Sequence, residues 1–280
     1  MARLRMRAAA AQGKSSTVVP RDAWFDVRSG QVVVDAVPML AKSRVVLLGE
    51  RHDDPAHHRW QLNTLKVLLG LRGDLVLGFE MFPRRVQASL DRWSSGELSP
   101  TAFLNEVDWQ RVWRFDPQLY LPLFELARAS RIPMLALNVD RETNRRAAAG
   151  ETDRDVLEGV GWPAPASAGY RDRLLGWFAR HPMGDAGAAI DPARFERFVR
   201  AQLFWDRAMA EAIFARVGGE GSPLVVGVMG RGHIEYGDGV PRQLASLGID
   251  RVVTALPWPA DNEAPLTNGL IADYLFGAAP

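Results

Sequence analysis

Four apolar runs in this chain each break off on polar residues: Leu47-Leu48-Gly49-Glu50-Arg51-His52, Val76-Leu77-Gly78-Phe79-Glu80, Leu135-Ala136-Leu137-Asn138-Val139-Asp140-Arg141 and Val226-Gly227-Val228-Met229-Gly230-Arg231-Gly232-His233. Short continuous runs of this kind predict strands buried on both faces, as in a parallel sheet. They place strands at residues 44–49, 75–80, 133–138 and 223–230, with a further one at 251–256. Between them the period changes to that of helices. Asp54 caps a helix that has Pro55 in its first turn and runs to about residue 69, a tryptophan-rich helical stretch carries Trp93, Trp109 and Trp113, and another helix covers 117–130. Ahead of the first run, residues 24–34 read as a hairpin turning at Ser29-Gly30, leading through 34–40 into the sheet. A short helix near 240–247 and a C-terminal segment over 266–276 close the pattern.

The alternation of strand and helix predicts an α/β protein with a mainly parallel central sheet flanked by helices. From about 151 to 219 the strand rhythm stops, and two amphipathic helices follow the loop Pro163-Ala164-Pro165. This stretch reads as a helical lobe inserted over the strand ends. The expected organisation is a loose tail over residues 1–20 and one domain over 21–280.

In an open α/β sheet, polar groups at the carboxyl ends of parallel strands converge although they are distant in sequence. Glu50, His52, Glu80, Asn138, Arg141 and His233 are therefore the expected site. The plainer account of the two glutamates is a structural network with Arg51, Arg141 or Arg231, and His57 and His58 read as structural residues in the first turns of a helix. On the first lobe helix, Tyr170, Leu174, Trp177, Phe178 and His181 share one arc, with Arg173 and Arg180 beside it. Tyr170 and His181 are ~16 Å apart along a straight helix, too far to ligate one metal ion together. The second lobe helix aligns Phe195, Phe198, Gln202, Trp205, Met209 and Ile213, with Gln202 and Asp206 one turn apart.

The 280 residues carry a net charge of +1 and no long basic run, which argues against nucleic acid as the main partner. The absence of cysteine excludes disulfides, thiolate metal sites, a cysteine nucleophile and a lipidated cysteine anchor. No stretch approaches the ~20 continuous apolar residues of a transmembrane helix. Residues 1–14 are basic and then alanine-rich without a leucine or isoleucine run, so the expected location is cytoplasmic, with an exported envelope protein as the alternative.

Taken in order, Leu48-Gly49-Glu50-Arg51-His52-Asp53, Gly78-Phe79-Glu80-Met81, Gln202 with Asp206 and Met209-Ala210, and Gly230-Arg231-Gly232-His233 before Gly239-Val240-Pro241 resemble the ChaN-like haem-binding family. Its wider superfamily includes the Tiki metalloproteases and the erythromycin esterases. The resemblance spans about residues 22–276. It implies an α/β core with a helical lobe, and haem bound between paired subunits through a tyrosine of that lobe, for which Tyr170 is the best match. The residues themselves admit two chemistries. Tyr170 and Trp177, with Phe178, Trp205 and Met209, offer a donor and an apolar slot for haem; Arg171, Arg173 or Arg180 offer propionate partners, and His181 and Gln202 lie nearby. Alternatively His52, Glu80 and His233 form a two-imidazole, one-carboxylate set for a divalent metal, with Glu50 as general base of a hydrolase. The expectation is a haem-binding homodimer acting in haem or iron handling, with the hydrolase as alternative.

Overall fold

A computed structural model of the chain describes residues 17–180, 190–218, 221–266 and 269–279. His181 and almost all of the N-terminal tail lie outside these residues.

The runs form the expected strands. Val45–Glu50, Leu224–Gly230, Leu75–Pro83 and Met134–Asn138 pair in parallel in that spatial order, and Val252–Pro259 lies parallel on the other side of Val45–Glu50. Tyr274–Ala278 adds a parallel strand outside Val252–Pro259, and the hairpin Trp24–Asp26 with Gln31–Val33 closes that edge antiparallel, giving eight strands. Alternation divides each strand between two cores. Val46 and Leu48 pack with Trp60, Leu65 and Leu68 of the Pro55–Leu71 helix, and with Trp93 and Phe124. Val45 and Leu47 face the opposite layer, where Met209 and Ile213 of the Pro192–Phe214 helix meet Val225, Met229 and Leu244. Burial on both faces is why these strands read as unbroken apolar runs.

The lobe is less separate than its sequence suggests. The 23-residue Pro192–Phe214 helix is ~34 Å long and does two jobs. Its C-terminal half is the crossover packed on the sheet, whereas Phe195 and Val199 near its start hold the Ala168–Arg180 helix through Tyr170, Leu174 and Phe178. Among the described residues of the expected arc, the first lobe helix buries all but Trp177, which is 44% exposed and lies flat on Phe198, ring centroids 5.2 Å apart. A helix over Arg141–Ala149 follows the Met134–Asn138 strand, which places Arg141 in a first helical turn and not at a strand exit.

Candidate functional site

The carboxyl ends of the strands carry a buried cluster of two imidazoles and three carboxylates. Glu50 is the last residue of its strand and His52 follows it, with Nδ1 2.6 Å from Glu50 Oε1. This contact ties down one nitrogen of the ring and leaves Nε2 on the side of Gly230 and Glu80. A Cβ built on Gly230 would stand 2.8 Å from His52 Cε1 and 3.5 Å from Glu80 Oε2, so only glycine admits the imidazole here. Trp113 and Phe115 pack on the ring at 4.7 and 5.1 Å. Tyr120, fully buried, donates to the His52 carbonyl at 3.3 Å and reaches Glu50 Oε1 at 3.5 Å. Glu50 Oε2 is buried and has no partner among the described residues.

Glu80 projects from the Leu75–Pro83 strand where its pairing with Met134–Asn138 shifts register between Phe79 and Pro83, a bulge that re-aims the side chain. Its Oε2 accepts the Gly230 N–H at 2.6 Å, and its Oε1 lies 3.4 Å from His233 Nε2. The other nitrogen of His233, Nδ1, is 2.6 Å from Asp206 Oδ1, and Asp206 Oδ2 accepts the Tyr170 hydroxyl at 2.7 Å. A chain of contacts thus runs from Glu80 through His233 and Asp206 to Tyr170. His233 arrives by a tight loop after its strand: Gly239, at φ +61°, passes so close that a Cβ there would lie 2.3 Å from the His233 carbonyl oxygen.

Electrostatics follow from these partners. Burial works against a charged His233, but the charges of Glu80 and Asp206 outweigh it and raise its pKa well above 6.5. Burial likewise opposes the charged form of Glu80, yet His233 beside it and the Gly230 amide bring its pKa down to about 2. Asp206, fully buried, is shifted upward, because burial exceeds the help from His233 and Tyr170. Burial and the Asp206 charge raise the Tyr170 phenol well above 10, so the arrangement keeps it neutral. His52 is raised: burial pulls down, but the bond to Glu50 and the charge of Glu80 exceed it.

Glu50, His52, Glu80 and His233 converge as expected, joined by Asn138, whose amide donates to the Glu80 carbonyl at 3.2 Å. The carboxylates pair with histidines and not with arginines; Arg231 binds Glu235, and Arg51 is 3.7 Å from Asp53. Tyr170 is 3% exposed and points into the cluster, where the sequence placed it on an apolar lobe surface. Arg171 is paired with Glu196; Arg173 binds Asp238 and stacks on Tyr236, 4.3 Å from the ring centroid. Gln202 is half-buried, one turn before Asp206. His57 and His58 are buried and structural, accepting the Arg51 amide at 2.9 Å and contacting the His52 carbonyl at 3.1 Å. The residue missed is Tyr120, and Asp206, singled out beside Gln202, was not expected in the strand-end cluster. Asp206 was visible as a carboxylate on an apolar helix face; nothing marked Tyr120 out from an ordinary core aromatic.

Beside the cluster lies a cavity of about 790 Å³, lined by Glu80, Trp113, Asn138, Arg141, Asn144 and Trp205 among others. Among the described residues, no three His, Asp or Glu side chains are placed as ligands of one metal ion.

The model of a family described as haem-binding uptake, Tiki superfamily, ChaN matches residues 36–244. Comparison with the curated proteins finds no match. Among solved structures, ChaN of Campylobacter jejuni, described with cofacial haem binding, superposes with a TM-score of 0.75 at 19% identity, over 91% of this chain and 96% of that one. RRSP, a MARTX toxin effector domain from Vibrio vulnificus, gives 0.49 at 13% identity over 90% of this chain and 41% of that one. The erythromycin esterase EreC in its open conformation gives 0.48 at 11% identity over 92% and 83%.

Proposed function

Since the chain belongs to the haem-binding uptake family of the Tiki superfamily, ChaN type, we propose that it binds haem and serves in haem uptake or handling. Family membership over residues 36–244 is the observation that carries this reading. The strand-end cavity supports the reading in part: Trp113 and Trp205 line it as flat apolar surfaces, and Arg141, held by the Val112 carbonyl, is a cation of the kind a propionate needs, whereas Arg85 and Arg145 are already paired with Asp140 and Glu142. Haem, when bound, would supply an iron that a protein side chain can ligate. Tyr170, which is buried against Asp206 and does not itself line the cavity, would hold that iron, and a second copy of the chain would cover the side left open. Ligation by Tyr170 requires its hydroxyl to leave Asp206 and lose its proton, against burial and the neighbouring carboxylate. Titration of the purified protein with haemin should develop a Soret band, and Tyr170→Phe should shift that band and weaken binding while circular dichroism stays native. A variant with unchanged spectrum and affinity removes Tyr170 as the ligand; no Soret band in the wild type removes the haem reading.

A second reading, hydrolysis, is favoured by the His52–Glu50 pair, an imidazole oriented through one nitrogen with the other left for proton transfer. Elemental analysis separates its metal-dependent form. A stoichiometric divalent metal in the wild type that is lost in His233→Ala would make hydrolysis the primary function.

A further inference from the structure

We propose a second binding site, for a phosphate-bearing anion, at the edge of the sheet opposite the imidazole–carboxylate cluster. Val252–Pro259, Val45–Glu50, Leu224–Gly230 and Leu75–Pro83 are adjacent and parallel, so their first residues stand in a row. The residues just ahead of them, Arg251, Lys42, Ser43, Arg44, Ser222 and Arg72, line one cavity of about 500 Å³. Four of the six are cations and none is acidic. The strand order alone collects them, since they come from four separate places in the sequence.

Part of this has a structural explanation. Arg72 is gripped by Asp74 and donates to the carbonyls of Ala41 at 3.2 Å and Ser222 at 3.4 Å, while Arg44 donates to the Gly218 carbonyl. These bonds tie Gly218 and Ser222 to the sheet. They do not account for the other two cations. Lys42 contacts only the Met39 sulfur, at 3.9 Å, and no carboxylate pairs with Lys42, Arg44 or Arg251 among the described residues. Like charges gathered around one concavity repel, and an anion relieves that repulsion. Two guanidiniums already anchored through backbone lose little freedom on binding. Guanidinium N–H pairs, an ammonium and two serine hydroxyls are donors matched to phosphate oxygens. The cavity volume falls in the ~300–1,000 Å³ range of small-molecule sites, but its lining is polar and suits a hydrophilic ligand. The site stands independently of the haem reading.

Calorimetric titration of the full chain with inorganic pyrophosphate, beside co-sedimentation with phosphatidylglycerol vesicles, tests the site and separates its two sources, a free phosphate compound or a lipid headgroup. Binding of either probe should weaken at least about tenfold in Lys42→Gln/Arg251→Gln, because each lost charge-assisted contact is substantial. Both residues are exposed, and the double variant should keep the wild-type circular dichroism and haemin titration. Pyrophosphate binding assigns the site to soluble phosphates, and vesicle binding alone assigns it to lipid. Failure of both probes with the wild type, or equal binding by the double variant, overturns the proposal.

Discussion

His233 owes its charge to its two neighbours, and they in turn depend on it. Removing the imidazole leaves Asp206 buried without its cation and Glu80 with only His52 as a nearby positive charge, a case that costs ~3–5 kcal/mol in comparable buried pairs. His233→Ala should therefore lower the urea unfolding free energy at pH 7 by that order. A loss under about 1 kcal/mol would show that water fills the gap and that the triad is weakly coupled. His57 supplies the opposite sign. Burial is the main cause that lowers its pKa from 6.5 to about 4, with Asp54 opposing and the charges of Arg231 and Arg51 assisting. The unfolded chain then takes up the proton first as pH falls, so this residue's contribution to stability is present above about 6.5 and lost towards 4, by up to about 3 kcal/mol. His57→Asn keeps an acceptor for the Arg51 amide and should flatten the wild-type decline across that interval; an equally steep decline assigns it to other groups.

At the scale of elements, the site depends on how strands end. The bulge before Pro83 turns Glu80 toward Gly230, and the loop after the Leu224–Gly230 strand doubles back tightly enough to bring His233 over the same point. Gly239 holds that loop closed at φ +61° and ψ −128°, a conformation that a side chain disfavours. Gly239→Ala adds a Cβ against the His233 carbonyl and should destabilise the fold by at least about 2 kcal/mol, with His233 displaced from Asp206. Chemical denaturation gives the first effect, and the histidine ring resonances in NMR give the second. Unchanged ring shifts would mean that the loop yields without moving the site. The Pro192–Phe214 helix works across layers: it anchors in the sheet core at Met209 and Ile213, carries Asp206 into the cluster, and extends to hold the lobe helix.

For the whole molecule, the proposed function links haem binding to association. A planar cofactor that one subunit covers on a single side favours a second subunit on the other. Sedimentation velocity should show the weight-average mass rising toward a dimer as haemin is added; a monomer with and without saturating haemin would reject the paired arrangement. Among the described residues no helix is long and apolar enough to cross a membrane. The carboxyl ends of the strands bury acids around two imidazoles, while their starting ends gather arginine and lysine.

The sequence by itself determined the parallel strands, the helices between them and the convergence of Glu50, His52, Glu80 and His233. Those features rest on local apolar periodicity and on one topological rule, that successive parallel strands bring their ends together. Three things needed the tertiary structure. Tyr170 turned inward to Asp206 because a helix face shows only which residues are apolar, and the partner of a phenol within that face lies 36 positions away. Tyr120 looked like core because packing and hydrogen bonding of a buried tyrosine leave the same sequence signature. The row of cations at the strand starts was invisible because single charges before each strand acquire meaning only when the strand order sets them side by side.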